Sequence, residues 1–303
     1  LRCNGHLTSV KDEPVISNEW LESFAVRWLS VTQHQELAQH GQVDFALTMP
    51  DGVRLRANLF RQRHGLSLAL RIIASSCPAM ESLHLPAMAH SLLNRNEGLI
   101  LITGATGSGK STTLAAMVGE MNHQQQRHIL TLEDPVEYLH YSAQSLIQQR
   151  EKGLHFSCFG SGLRAALRED PDVILLGELR DAETIQLALT AAETGHLVLA
   201  TLHTRGAAQA VERLVDVFPG TEKSLVRSQL AGSLAAVIAQ RLVSAKAGRV
   251  ALFEVLVNSP AVANLIREGK THQLPALLQT GSQLGMQTFE QSMAERQKMG
   301  LLS

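Results

Sequence analysis

GLILITGATGSGKST, residues Gly98 to Thr112, decides the fold. Gly98 to Thr103 carries no charge and reads as a buried strand. STTLAAMVGEM, Ser111 to Met121, reads as a helix. The loop between them fits G-x-x-x-x-G-K-[ST], and the strand before it and helix after it are the context that motif requires. The chemistry follows from the residue types. Glycines let backbone N–H groups turn inward on phosphate oxygens, and the helix amino end adds its dipole. Lys110 reaches the β/γ-phosphates and the Ser111 hydroxyl is placed to hold Mg²⁺. Gly104, Ala105, Thr106, Gly107, Ser108, Gly109, Lys110, Ser111 and Thr112 are thus candidate nucleotide contacts. The plainer alternative is a glycine-rich turn, and the flanking pattern argues against it.

Downstream, short apolar runs alternate with helical patterns. His128 to Leu132, Val173 to Leu176 and Leu197 to Leu202 are apolar. Leu163 to Glu169 and Asp181 to Glu193 are helical, and residues from about 207 onward read as mostly helical. This alternation predicts an α/β fold, a mainly parallel sheet with helices on both faces. Upstream the texture changes. Asn18 to Gln39 reads as one helix, with Trp20, Leu21, Phe24, Ala25, Trp28 and Leu29 on one stripe. DFALTMPDGVRLRANLFRQR reads as a hairpin around Pro50-Asp51-Gly52, and Gly65 to Ile73 as a further strand. Residues 1–74 are therefore expected to form a small α+β domain, 75–82 a linker, and 83–303 the nucleotide domain with a helical carboxyl-terminal part.

Ligands of a parallel sheet sit beyond the carboxyl ends of its strands. Three later runs end in chemistry there. HILTL ends in Glu133 and Asp134, with Glu137 past the proline. DVILL ends in Gly177 and Glu178, and HLVLATL ends in His203. TLEDPVEY (Thr131 to Tyr138) admits three readings: a solvated turn, a helix start capped by Asp134 with Pro135 first and Glu137 reaching back, or a catalytic acid. Spacing alone leaves Glu133, Asp134 and Glu137 open. Glu178 supplies the carboxylate after the second run, placed to hold Mg²⁺ partly through water; otherwise it is a helix-entry acid before Asp181. His203 either senses a γ-phosphate or is structural. His196 lies seven positions earlier on the same run, so the two side chains face opposite ways and make a poor metal pair. Arg164 and Arg168, four apart on an expected helix, share a face. They either neutralise phosphate, from this subunit or a neighbour, or pair with Glu169 or Asp170.

Composition narrows the class. The chain has 303 residues, 45% apolar, which allows about two domains. A net charge of −1 and no aromatic-basic stripe argue against nucleic-acid binding, and so against a DNA-translocating ATPase. DNA-stimulated hydrolysis would revive that reading. No acceptor lid suggests a small-molecule kinase. Cys3, Cys77 and Cys158 lie far apart without a CxxC pair, so neither a disulfide framework nor a metal–cysteine site is expected. No run approaches 18 apolar residues and LRCNGHLTSV is too polar for a signal peptide, which predicts a cytoplasmic protein. The sequence lacks an initiator Met, and a missing amino end is expected.

Taken together these motifs resemble the secretion-superfamily ATPases, the motors of type II secretion and type IV pili. GATGSGKSTTLAAM resembles their Walker A region and TLEDPVEY their Asp box. LREDPDVILLGELRDAETIQLALTAAETGHLVLATLHT resembles their Walker B and His boxes. VERLVDVFP, AVANLIREGK and QTGSQLGMQTFEQ are similar to the PilT pilus-retraction branch. LVSAKAGRVALF, between Arg241 and Glu254, lacks the cysteines of the zinc insert carried by assembly and secretion ATPases.

The resemblance implies a PAS-like amino domain, a RecA-like P-loop NTPase domain and a homo-oligomeric, hexameric ring. It implies ATP and Mg²⁺ as cofactors, and an inner-membrane pilus or secretion platform protein as partner, to which the cytoplasmic motor is peripheral. It assigns Glu137 as catalytic glutamate, Glu178 as Walker B glutamate, and His196 and His203 as the His-box pair. Arg56 and Arg71 match amino-domain arginines that reach nucleotide, and Arg164 and Arg168 match further phosphate-site arginines. One departure stands out. The retraction motif AIRNLIRE is here Ala261-Val262-Ala263-Asn264-Leu265-Ile266-Arg267-Glu268, with Ala263 where the first arginine belongs.

Overall fold

The computed structural model describes residues 1–3, 6–10, 13–73, 77–245 and 248–302. Part of the expected linker, 75 and 76, falls outside these residues. The chain divides into two compact units, Leu1–Ser75 and Ser76–Ser303.

The amino unit opens with a two-residue pair, β1 (Arg2–Cys3) and β2 (His6–Leu7), followed by helices α1 (Asn18–Trp28) and α2 (Val31–His40). The single helix expected over 18–39 is thus broken. Ser30 accepts the Gln33 N–H while the Gln33 side chain accepts the Ser30 N–H, a reciprocal cap that starts a new helix. The antiparallel sheet β3 (Gln42–Thr48), β4 (Arg54–Gln62), β5 (Gly65–Ile73) follows, with its hairpin turn at residues 49–53 as expected. Leu21, Ala25 and Leu37 of the helices and Val43, Phe45, Leu47, Ala57 and Leu59 of the strands are buried.

The carboxyl unit is built on one seven-stranded sheet. Its elements run α3 (Ala87–Leu93), β6 (Gly98–Thr103), α4 (Lys110–Gln124), β7 (His128–Glu133), β8 (Leu146–Glu151), α5 (Phe159–Ala166), β9 (Val173–Leu176), α6 (Ala182–Glu193), β10 (Leu197–Leu202), α7 (Ala207–Asp216), α8 (Lys223–Ser233), β11 (Leu234–Ala245), β12 (Gly248–Val257), α9 (Pro260–Arg267), α10 (Leu274–Thr280) and α11 (Phe289–Lys298). The strand order is β12-β11-β6-β10-β9-β7-β8, and all neighbours run parallel except β11 and β12. Strand alternation splits the core in two. Leu99, Leu101, Leu130, Ile174 and Val198 face α5 to α9, whereas Ile100, Ile102, Ile129, Val173 and Leu199 face α3 and α4.

Two expectations fail here and one is incomplete. The region after 207 is not helical throughout, because between its helices LAAVIAQRLVSA and GRVALFEVLV form the long antiparallel pair β11–β12. No helix starts at Asp134: residues 134–145 are a loop with a cis Asp134–Pro135 bond, leading to β8, a strand the sequence did not announce. The helix expected over 163–169 runs from Phe159 to Ala166, so Arg168 lies in the turn beyond it.

Residues after β12 close its outer edge. Val255 and Gln287 exchange both backbone hydrogen bonds, at 2.8 and 3.1 Å. The Phe253 N–H donates to Ser292 Oγ at 3.1 Å, and Arg296 Nε donates to the Ala251 carbonyl at 3.4 Å.

Candidate functional site

β6 ends at Thr103, and the loop 104–109 wraps the first turn of α4. Gly107 and Gly109 are left-handed (φ 78° and 92°), which only glycine adopts freely. The loop is braced from β11. Gln240, buried, donates through Nε2 to the Ser108 carbonyl at 2.8 Å and accepts from Thr113 Oγ1 at 2.7 Å. A Cβ at Gly109 would stand 2.8 Å from Gln240 Nε2, and one at Gly104 would overlap the Gln240 carbonyl oxygen and the Ser108 hydroxyl. Gly104→Ala is therefore expected to displace the loop, costing about 1–3 kcal/mol of stability and weakening nucleotide binding. Thermal melting and nucleotide titration check this, and an unchanged affinity would mean the loop conformation does not govern binding.

Lys110 is nine-tenths buried. Its Nζ donates to the Gly104 carbonyl at 2.9 Å and the Ala105 carbonyl at 3.2 Å, and lies 3.4 Å from His203 Nδ1. His203 Nε2 in turn lies 3.1 Å from Glu178 Oε1, and Arg180 Nη2 lies 2.7 Å from Glu178 Oε2. The tautomer with hydrogen on Nε2 fits both histidine contacts: it donates to the carboxylate and accepts from the ammonium. Burial lowers the Lys110 pKa, against the opposing charges of Glu178 and Glu137. Burial alone would raise the Glu178 pKa, but hydrogen bonds and charge from Arg180 and His203 outweigh it and hold this carboxyl below its usual range. The result is a charge relay across three strand ends, Lys110 after β6, Glu178 after β9 and His203 after β10.

Gly177 lets the end of β9 close up on the end of β7. A Cβ there would lie 3.3 Å from the Leu132 carbonyl and 3.4 Å from Glu133 Cα.

The Asp-box acids divide clearly. Glu133 accepts from Thr131 Oγ1 at 2.7 Å and Gln149 Nε2 at 3.1 Å, and also takes the Glu137 N–H; burial raises its pKa all the same. Asp134 pairs with Lys152 at 2.9 Å. The Glu137 side chain has no such bond among the described residues, and its charge acts on Lys110. Tyr138 Oη meets Thr112 Oγ1 at 3.0 Å, tying the Glu137 loop to the first turn of α4 beside Ser111. Ser111 itself is exposed.

The structure does not bring every expected residue to this edge. His196 stands at the opposite, amino end of β10, its Nδ1 3.1 Å from the Ala191 carbonyl. Arg164, on α5, pairs with Glu183 of α6. Arg168 is exposed past the end of α5, and Glu169 pairs with Arg150 rather than with either arginine. Arg56 and Arg71 face each other in register across β4 and β5 of the amino unit. Sequence reasoning missed Arg180, Gln240, Gln149 and Glu151. Nothing local marks Gln240, which matters only because β11 lies beside β6. Arg180 stood in plain view two residues past Glu178.

These residues fit a nucleotide. The loop conformation, the buried ammonium and the Ser108 hydroxyl, buried with no hydrogen-bond partner among the described residues, suit phosphate oxygens. Fold and site together define a RecA-like P-loop nucleoside triphosphatase. Residues 2–300 match the type II/IV secretion system protein family, and the chain belongs to that family as a PilT-like ATPase. It is 65% identical over 283 residues to the protein YggR of Escherichia coli K12, covering 93% of this chain and 87% of the relative. It is 47% identical over 305 residues to a twitching motility protein of Neisseria gonorrhoeae, covering 100% of this chain and 81% of the relative. The crystal structure of the pilus retraction motor PilT with bound ADP superposes with a TM-score of 0.90 at 42% identity, covering 100% of this chain and 87% of that one. No helix among the described residues is long and apolar enough to cross a membrane.

Proposed function

We propose that this chain is the repeating subunit of a hexameric, ATP-driven motor that works a pilus or secretion platform, most like the pilus-retraction motors. The observation that carries the reading is the Lys110–His203–Glu178–Arg180 chain of contacts at the carboxyl edge of the sheet, with the Glu137 charge acting on the same lysine. Loop residues Gly104 to Gly109 and Lys110 hold the phosphates of ATP. Ser111, and Glu178 partly through water, hold Mg²⁺, which neutralises phosphate charge. Glu137 orients the attacking water and takes its proton, as its position past the β7 end and its uncommitted side chain support. His203 couples the phosphate site to Glu178. Arg56, Arg71, Arg164 and Arg168 complete the phosphate site across subunits, an arrangement that in related chemistry raises rates by about 10³ to 10⁵. His196, at the far end of β10, has no part in this subunit's phosphate site. The motor is cytoplasmic and meets the inner membrane through its platform partner.

A second reading, a motor for assembly or secretion instead of retraction, has one observation in its favour. Ala263 is inward-facing on α9, packed with Val262 and Ile266 in the main core. An arginine there would have to carry its charge out past apolar neighbours, so this helix presents a different surface from the retraction motif. Against that reading, Ala245 pairs directly with Gly248, so two residues separate the paired strands β11 and β12 where other branches carry an insert.

Completion across subunits makes a measurable demand. Specific ATPase activity should rise with protein concentration through the range where mass measurement shows ring assembly, and ATP should promote that assembly. Flat specific activity with only monomer in solution would overturn the proposal.

A further inference from the structure

We propose that Gln149 and Glu151, alternate residues of the edge strand β8, are positioning residues that set where Glu137 stands over the phosphate site. The inference rests on the reading of Glu137 given above. Alternate strand residues point the same way, and here both reach the loop that carries Glu137. Glu151 Oε2 accepts the Val136 N–H at 3.0 Å. Gln149 Nε2 donates to the Tyr138 carbonyl at 2.8 Å, and Gln149 Oε1 accepts the His140 N–H at 2.8 Å. Val136 and Tyr138 are the two residues that flank Glu137. The Glu137 N–H goes to the Glu133 carboxylate, which Gln149 Nε2 also holds at 3.1 Å.

Three consecutive backbone positions are thereby tied to the β7 and β8 ends, directly or through Glu133. The loop has no helical or ladder hydrogen bonds of its own to fix it. Side chains of β8 supply that order, and so they set the direction in which the Glu137 Cβ points. The β7–β8 register, which opposes Glu133 to Glu151, puts these groups at one height. Glu137 itself keeps its carboxylate out of the scaffold, as a group that must act on water requires.

A purely structural role would lower stability without separating catalysis from binding, so the test reads both. In the full-length chain, Gln149→Leu and Glu151→Leu are compared with wild type for nucleotide affinity and for single-turnover ATP hydrolysis. Displacement of a catalytic group by about 1 Å can cost on the order of 10²-fold. Turnover is expected to fall about 10–100-fold at nearly unchanged affinity. Glu151→Gln keeps an oxygen for the Val136 N–H and should recover most of the rate. In a Glu137→Gln background neither leucine substitution should lower the residual rate further, because residues acting through one group are not additive.

If a leucine variant fails to fold, Gln149→Glu carries the test: it is the same size, keeps the oxygen for His140 and loses both donors. Wild-type turnover in the β8 variants overturns the inference. So does parallel loss of affinity and rate, and so does a loss that multiplies with Glu137→Gln. Wild-type turnover by Glu137→Gln alone brings down the reading of Glu137 and the inference with it, an outcome distinct from failure of the β8 variants.

Discussion

Replacing Lys110 by alanine is expected to abolish tight nucleotide binding, and hydrolysis with it. Lys110 is nine-tenths buried as a residue, and its ammonium lies within 3.4 Å of two loop carbonyls and His203. At an effective dielectric near 20, a unit charge about 4 Å from a phosphate contributes roughly 4 kcal/mol. That corresponds to about 10³-fold in affinity. Alanine also removes the bonds that tether the ammonium to the Gly104 and Ala105 carbonyls, so thermal melting should be measured beside binding. Titration with a fluorescent nucleotide tests the claim. Affinity within about tenfold of wild type in a folded variant would mean that the phosphates do not sit on this loop.

Glu137→Gln should separate binding from chemistry. Glutamine keeps the size and polarity of the side chain but cannot take a proton. General-base catalysis is commonly worth about 10²–10⁴-fold, and turnover is expected to fall by that much while ATP affinity stays within a few-fold. The neighbouring acids make informative comparisons. Glu133 is already committed to Thr131, Gln149 and the Glu137 N–H, and Asp134 to Lys152. Their replacement should act on loop order and stability, with a rate effect no larger than the loop displacement it causes. Wild-type turnover in Glu137→Gln under single-turnover conditions would remove Glu137 from the catalytic role.

The parts of this molecule that were legible in the sequence are those whose signal is local. The P-loop is contiguous, and its strand, turn and helix each carry their own pattern. The buried parallel strands read as unbroken apolar runs, and their ends exposed Glu178 and His203. What escaped was decided at a distance. LAAVIAQRLVSA is rich in residues that also suit a helix, and only its place beside β6 makes it a strand. LIQQRE of β8 is a half-polar edge strand whose glutamine and glutamate read as surface residues, yet they bond the Asp-box loop. The apparent helix start at Asp134 fails for the same reason: Asp134 goes to Lys152 instead of capping a helix. Of the arginines, Arg164 was legible as a helix-face cation, but its partner Glu183 on α6 was not. The resemblance paired His196 with His203, but their seven-residue spacing already set the two side chains apart, and β10 between them puts them at opposite ends of the sheet.

The outer edge of β12 carries a consequence for how copies of this chain come together. An unpaired edge strand is a template on which any passing strand can polymerise. Here both outward groups of Val255, the Phe253 N–H and the Ala251 carbonyl are taken by residues 287 to 296 of the same chain. That side of the sheet offers no ladder to a second copy at those positions. Subunits crowded at high local concentration can then associate through shaped side-chain surfaces without the risk that contact becomes fibre growth.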